Sequence, residues 1–313
     1  MTLKAGIIGC GEIAKSHAAG YQANNIKIIA VTDINPEAAK AMAAEFGAEI
    51  FASAKALIES GKVDMVSICT PPVAHEQDAV CALANGVHVL LEKPQAHNVE
   101  SAARIKDAAT KSQAVLMLAY RHRFLPAIVK IKSYIDEGRL GKLVFIHNIF
   151  CGYAFNMKDK WFSKRSIAGG GTMLDTSSHS VDLFRYLAGE IVEQHAVMGL
   201  HLEGTDVEDV SIITVKSLSG TLGSLSASWV AADGMAYIDV CGEDGRISYD
   251  YCTNELQYKP REGNWKKIEV LQSRGFAEQI GSFITSISLH IQAAITADDG
   301  LRAMEVICSN YKV

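Results

Sequence analysis

No window of this sequence approaches the roughly 18 consecutive apolar residues of a membrane-spanning helix. From Thr2 the chain runs almost directly into Leu3-Lys4-Ala5-Gly6-Ile7-Ile8-Gly9, with no basic stretch followed by a long apolar one, so no secretory leader is expected. The seven cysteines (Cys10, Cys69, Cys81, Cys151, Cys241, Cys252 and Cys308) are odd in number, widely spread and form no C-x-x-C pair. That pattern argues against a disulfide framework or a zinc site and predicts free thiols in a reducing, cytoplasmic setting. Positive charge is not in excess: 30 Lys and Arg stand against 35 Asp and Glu, a net charge of −5, so no wholesale attraction of nucleic acid or an anionic membrane is expected. Repeats, low-complexity tracts and long polar linkers are missing as well.

What is present is a globular composition. The 313 residues are 49% hydrophobic and 21% charged, enough for a sizeable core and, by length, for two domains. Over the first 120 residues short β-branched runs (3–8, 26–32, 63–69, 87–91 and 114–118) alternate with helical patterns near 12–22, 36–46, 75–85 and 98–111. The runs are almost continuously apolar, as in a parallel sheet covered on both faces. After Tyr120 the grammar changes. Helical patterns near 124–138 and 172–188 flank a strand at 143–150, and then strands follow in series (194–201, 209–217, 221–230, 236–241 and 246–250) before two amphipathic helices near 275–290 and 298–310. The expected fold is an α/β Rossmann domain with a parallel, doubly wound sheet over 1–120. An α+β domain with a large mixed, mainly antiparallel open sheet is expected over 121–313.

Gly9-Cys10-Gly11-Glu12-Ile13-Ala14 fits G-x-G-x-x-G/A directly after the first strand. The glycines allow a tight turn and close approach of backbone to a pyrophosphate, and the following helix offers unpaired N–H groups. Asp33 ends the second strand about 20 residues further on, where a carboxylate accepts hydrogen bonds from ribose hydroxyls. Ile34-Asn35-Pro36 supplies no cation for a 2′-phosphate, so NAD is favoured over NADP. Glu92-Lys93-Pro94 follows the 87–91 strand at the carboxyl edge of the sheet, where Lys93 would donate to a substrate oxygen and stabilise charge developing on it. In the second half, Asp175, His179, Asp182 and Tyr186 stand at i, i+4, i+7 and i+11, a single polar stripe on one helix with Met173, Leu174, Val181, Phe184 and Leu187 around it. A carboxylate beside a histidine orients it and stabilises its cation, which suits a base that takes an alcohol proton as hydride leaves carbon.

These motifs together with Cys69-Thr70-Pro71-Pro72, His75, Arg123-Phe124-x-Pro126, Gly138-x-Leu140-Gly141, Gly169-Gly170-Gly171 and Asp299-Gly300-Leu301-Arg302-Ala303 occur in family order along nearly the entire chain. The sequence resembles the Gfo/Idh/MocA family, named for glucose-fructose oxidoreductase and inositol dehydrogenase. The resemblance implies an NAD-dependent oxidoreductase acting on a hydroxyl of a sugar or cyclic polyol. It adds Thr70, Pro71, His75, Glu92, Lys93 and Arg121 to the turn residues and Asp33 as cofactor contacts. It also makes His179 the acid/base, Asp175 its partner and a substrate ligand, Lys93 the donor to the reacting oxygen, and Asp182 a substrate ligand or a support for the helix. A homodimer or homotetramer paired through the open sheet face, where Leu222, Ser224, Ser226 and Ser228 alternate with Leu225 and Ala227, is implied in the same way.

Two departures stand out. Ser177 replaces the usual glycine of D-x-G-x-H, which is expected to alter the helix start, and Gln95-Ala96-His97 replaces smaller or apolar residues and is expected to reshape the substrate rim. The segment 151–168 carries Lys158, Lys160, Lys164 and Arg165 against Asp159 alone. It is either a solvated basic loop or a recogniser of an anionic substrate group through Arg165 or a lysine, with Trp161 packing on a sugar face. Two other readings keep the same nucleotide site: redox-assisted glycoside hydrolysis with retained NAD, and an NAD-loaded binding or regulatory protein without turnover.

Overall fold

The computed structural model describes residues 3–154 and 160–311. Lys158 and Asp159 of the basic segment therefore lie outside the described residues. The chain divides into two compact units, Met1–Arg121 with Gly275–Met304, and His122–Arg274 with Glu305–Val313.

The first unit is built on six parallel strands, β1 (Lys4–Ile8), β2 (Lys27–Thr32), β3 (Glu49–Ile50), β4 (Met65–Ile68), β5 (His88–Leu91) and β6 (Leu116–Leu118), in the order β3-β2-β1-β4-β5-β6. Helices α1 (Glu12–Ala23), α2 (Pro36–Phe46), α3 (Ala54–Glu59), α4 (Pro72–Ala84) and α5 (Val99–Lys111) make the crossovers. Local chemistry sets their limits. Asn35 accepts from the Glu37 amide with Pro36 in the first turn of α2, and Gly47 ends that helix with φ +65°. Strand β4 is buried along its whole length, including Ser67. Direction of travel reverses between β1 and β4, and the crevice at the carboxyl ends of such neighbours is where open α/β sheets bind ligands. Gly9, Cys69 and Lys93 all follow carboxyl ends of strands β1, β4 and β5.

A 3₁₀ turn (Arg121–Phe124) spans the boundary, and the second unit continues with α6 (Pro126–Asp136) and the long strand β7 (Leu143–Tyr153), followed by the short helices α7 (Arg165–Ala168) and α8 (Thr172–Asp175) and then α9 (Ser177–Ala188). Strands β8 (Ile191–Gly199), β9 (Val210–Ser217), β10 (Leu222–Ser228), β11 (Val230–Gly242), β12 (Gly245–Asp250), β13 (Glu255–Pro260) and β14 (Lys266–Ile268) complete an eight-stranded sheet in the order β14-β13-β12-β11-β7-β10-β9-β8. Its ladders are antiparallel except β7 with β10. Helix α9 packs on β10, β7 and β9. Val181, Leu183 and Phe184 are fully buried there, each contributing about 1.5–3 kcal/mol of apolar burial.

The remaining helices are α10 (Phe276–Leu289) and α11 (Ala297–Cys308). The sequence division placed everything after residue 120 in one domain, but α10 and most of α11 belong to the first unit. Helix α10 packs on α1, and Asn24 Nδ2 donates to the Ala277 carbonyl at 2.9 Å. The pattern expected as one helix over 172–188 is divided at Thr176. Ser177, standing where a glycine is usual, is fully buried with its hydroxyl 3.3 Å from that of Ser211 on β9.

Candidate active site

The turn after β1 has the geometry of a phosphate cradle. Gly9 has φ +88°, and a Cβ there would lie 2.8 Å from the carbonyl of Cys69, so only glycine fits. Gly11 heads α1 with no side-chain cap and with open space where a Cβ would project, so a ligand can approach the backbone closely at the start of the helix. Asp33 braces the same turn: Oδ2 accepts from the Cys10 amide at 2.6 Å and Oδ1 from the Asn35 amide at 2.7 Å. Each oxygen keeps lone-pair capacity for a hydroxyl donor. Burial, then the Asp33 charge, pushes the Cys10 thiol up to about 12, so it stays a thiol and donates to the Thr32 carbonyl. Beside Asp33, Ile34 is fully exposed, an apolar surface suited to a base ring and unsuited to a phosphate. These residues fit a dinucleotide.

Lys93 stands on a buried polar network. His17 and Glu92 pair at 2.8 Å, the other ring nitrogen of His17 meets Ser67 Oγ at 2.9 Å, and Tyr21 reaches the same hydroxyl at 2.8 Å. The second Glu92 oxygen accepts from the Lys93 amide at 3.2 Å. Burial alone would lower the His17 pKa, but the Cys69 sulfur and the Glu92 carboxylate raise it to about 10. A folded-state value above the ordinary 6.5 means the pair contributes fully below pH 6.5, and its contribution is lost as pH rises toward 10. His17→Asn is therefore expected to destabilise by about 3–5 kcal/mol near pH 6. The gap in melting temperature from wild type should close toward pH 10, and a pH-independent gap in calorimetry would refute the charged pair.

His75 was expected at the cofactor, but it is fully buried, between the Pro94 carbonyl at 3.0 Å and the Thr70 carbonyl at 2.8 Å. It braces the ends of β4 and β5 against each other. Burial pulls its pKa down. Gln95, expected at the substrate rim, is likewise fully buried, donating to the Ala102 carbonyl at 2.9 Å. A Cβ at Gly300 would lie 2.0 Å from its oxygen, so the pair is a packing contact inside the first unit. Thr70 and Pro71 are partly exposed beyond β4, and the Arg121 guanidinium lies 5.2 Å over the Phe276 ring.

In the second unit, Asp175 and His179 are both partly exposed. Thr176 Oγ1 donates to Asp175 Oδ2 at 3.2 Å and accepts from the Trp229 indole N–H at 3.0 Å, so a three-member chain orients the carboxylate. His179 meets His122 edge to face with ring centroids 4.2 Å apart, and His122, nearly buried, stacks on Phe150 at 5.0 Å. A cavity of about 290 Å³ opens beside Thr176, with Phe150, Tyr153 and Trp229 in its wall.

Three candidate substrate contacts are engaged within the protein. Asp182 is buried, and Arg123 holds it bidentately, Nε at 2.9 Å and Nη2 at 2.6 Å, so it supports the helix. Arg165 is engaged within the protein: its amide donates to Asp206 Oδ1 at 2.6 Å and its guanidinium lies 3.7 Å from Glu208 and 5.1 Å over Tyr311. Trp161 stacks on Phe162 at 3.7 Å, and the cavity wall is supplied by Trp229, which sequence reasoning passed over. Thr176, Trp229 and Glu208 carried no recognisable signal, because their partners lie in other elements; Arg123 stood in a quoted motif without a role.

Among the described residues no helix is long and apolar enough to cross a membrane, and none of the seven cysteines is in a disulfide. Comparison with known proteins adds three relationships. The levoglucosan dehydrogenase of Pseudarthrobacter phenanthrenivorans is 29% identical over 80% of this chain and 74% of its own. The inositol 2-dehydrogenase of Rhizobium meliloti is 28% identical over 97% and 94%. A solved levoglucosan dehydrogenase in complex with NADH superposes with a TM-score of 0.93 at 23% identity, covering 99% of this chain and 97% of that one, a likeness of fold. The oxidoreductase family with an NAD-binding Rossmann fold matches residues 3–120 and the corresponding C-terminal domain matches 128–248. With the glycine turn, the Asp33 brace and the mixed second sheet in place, the chain belongs to the Gfo/Idh/MocA family of NAD-binding oxidoreductases.

Proposed function

We propose that the protein is an NAD-dependent dehydrogenase that transfers hydride between the nicotinamide and a hydroxyl-bearing carbon of a sugar or cyclic polyol. The observation that carries this reading is the Trp229–Thr176–Asp175 chain at the head of the helix bearing His179. Bound NAD supplies the hydride acceptor. Asp175, its orientation set by Thr176, stands one helical turn before His179, which acts as the acid/base that takes the hydroxyl proton. Lys93, whose amide is tied to Glu92, donates to the reacting oxygen and stabilises its developing charge. The aromatic wall of Phe150, Tyr153 and Trp229 suits the C–H face of a polyhydroxylated ring. Relatives named as levoglucosan and inositol dehydrogenases point to the same substrate class.

The test is a nicotinamide-linked absorbance assay with inositol, levoglucosan, aldoses and sugar phosphates, each with NAD and NADP. Reduction of NAD by a neutral polyol or sugar is expected; no reduction of either nucleotide across the panel would sink the reading. We also infer a homodimer or homotetramer, because Val144, Val197, Ile212, Leu222 and Met235 stay 45–66% exposed on the strands of the second sheet. Light scattering at micromolar concentration should give a mass of at least two chains, and a monomer would refute it.

A further inference from the structure

We propose that Tyr311 is a positioning residue for the Asp175–His179 helix, acting through Glu208; the proposal rests on the dehydrogenase reading above. Glu208 is buried, and its Oε1 accepts three hydrogen bonds, from the Gly171 amide at 2.9 Å, the Met173 amide at 3.0 Å and the Tyr311 hydroxyl at 2.6 Å. Its backbone carbonyl accepts from the Thr172 amide at 2.9 Å. Three consecutive amides at the start of α8 thus end on one residue from the segment before β9. Gly171, in the capping position, has no side chain to offer, so Glu208 does the work of an N-cap from 37 positions away.

The close approaches explain two members of the glycine triplet. A Cβ on Gly171 would lie 1.8 Å from the Glu208 carbonyl oxygen, and one on Gly170 would lie 2.2 Å from the Tyr311 hydroxyl. Space at this turn has been given to the Glu208–Tyr311 pair. The Arg165 guanidinium completes it, 5.1 Å over the Tyr311 ring and 3.7 Å from the second Glu208 oxygen. Burial, and after it the Glu208 charge, keeps the Tyr311 hydroxyl protonated well beyond the usual range, so it remains a donor. Helix α8 ends at Asp175, whose amide donates to the Gly171 carbonyl at 2.8 Å. The anchored turn and the acid are therefore one helical turn apart, and a shift of the first is a shift of the second.

Tyr311→Phe keeps the ring beneath Arg165 and removes only the donor. Glu208→Gln, which keeps an oxygen for the amides and loses the charge, is the second variant should the first fold poorly. Hydrogen exchange of the full chain with NAD is expected to be about tenfold faster in peptides covering 171–179 of Tyr311→Phe, the equivalent of one hydrogen bond. Peptides covering Gly9–Ala23 should not change. With inositol or levoglucosan as substrate, kcat is expected to fall about five- to tenfold with the NAD dissociation constant unchanged. Unchanged exchange at 171–179, or faster exchange with unchanged kcat, overturns the proposal and leaves the dehydrogenase reading standing. Absence of turnover by the wild-type chain across the full substrate panel overturns that reading, and this proposal with it.

Discussion

Replacing His179 with alanine is expected to lower kcat for polyol oxidation by about 10²–10⁴-fold, the span that a positioned acid/base contributes. The dissociation constant for NAD should move less than about twofold, because the nucleotide site is shaped by Gly9, Gly11 and Asp33 and the role given to His179 is the substrate proton. Truncation at this position removes a ring that His122 packs against edge to face, so the variant must first be shown to keep its native melting behaviour. His179→Asn, which retains a polar planar group, serves as the control for packing. Stopped-flow measurement of nucleotide reduction separates the chemical step from product release. A variant that reduces NAD at the wild-type rate would remove His179 from the proposed role and shift attention to Lys93 as the proton carrier.

The second large effect concerns the choice of nucleotide. Asp33→Asn retains an oxygen for the Cys10 amide but loses the charge offered to the ribose hydroxyls. A charge-assisted hydrogen bond contributes about 1.5–3 kcal/mol, so NAD affinity should fall roughly 10–100-fold, since 1.36 kcal/mol is a factor of ten. Combining Asp33→Ser with Ile34→Arg is expected to reverse the preference, because the repelling carboxylate is replaced and a guanidinium enters at a position that is fully exposed. Fluorescence titration with both nucleotides reads the outcome directly. Retention of full NAD affinity in Asp33→Asn would show that the carboxylate serves only to brace the turn.

The first unit was largely legible in the sequence because its strands are continuous apolar runs alternating with helical patterns, one of them opened by Asn35-Pro36. What escaped were elements too short to carry a period, namely β3 with two exposed residues, and α3 with six residues in all. Helix α10 shows an apolar face in the sequence, but amphipathicity tells that a face is covered and not by what. Its partner proved to be α1, more than 250 residues earlier. Asp175 and His179 could be singled out because their spacing is local. Asp182 was left between two roles because its partner, Arg123, is 59 residues away, and a stripe on one helix says nothing of a cation delivered from elsewhere. Glu208 is the extreme case. A buried carboxylate in a loop has no periodic signature, and only the turn it caps gives it meaning.

The parallel pairing of β7 with β10 has a wider consequence. Beyond Tyr153 the chain leaves β7 and by Leu222 has returned on its immediate neighbour β10, carrying the short helices, α9, β9 and the edge strand β8 with it. The ladder from β11 to β14 lies on the far side of β7 and shares none of that excursion. The excursion therefore has the topology of a cassette, with entry and exit one strand spacing apart, about 4.8 Å. Such a block can lengthen, shorten or be exchanged as a whole while the ladder that carries it keeps its register. The Asp175–His179 helix could then be altered by replacing one contiguous stretch of chain, with Phe150, Tyr153, Trp229 and the nucleotide turn left as they are.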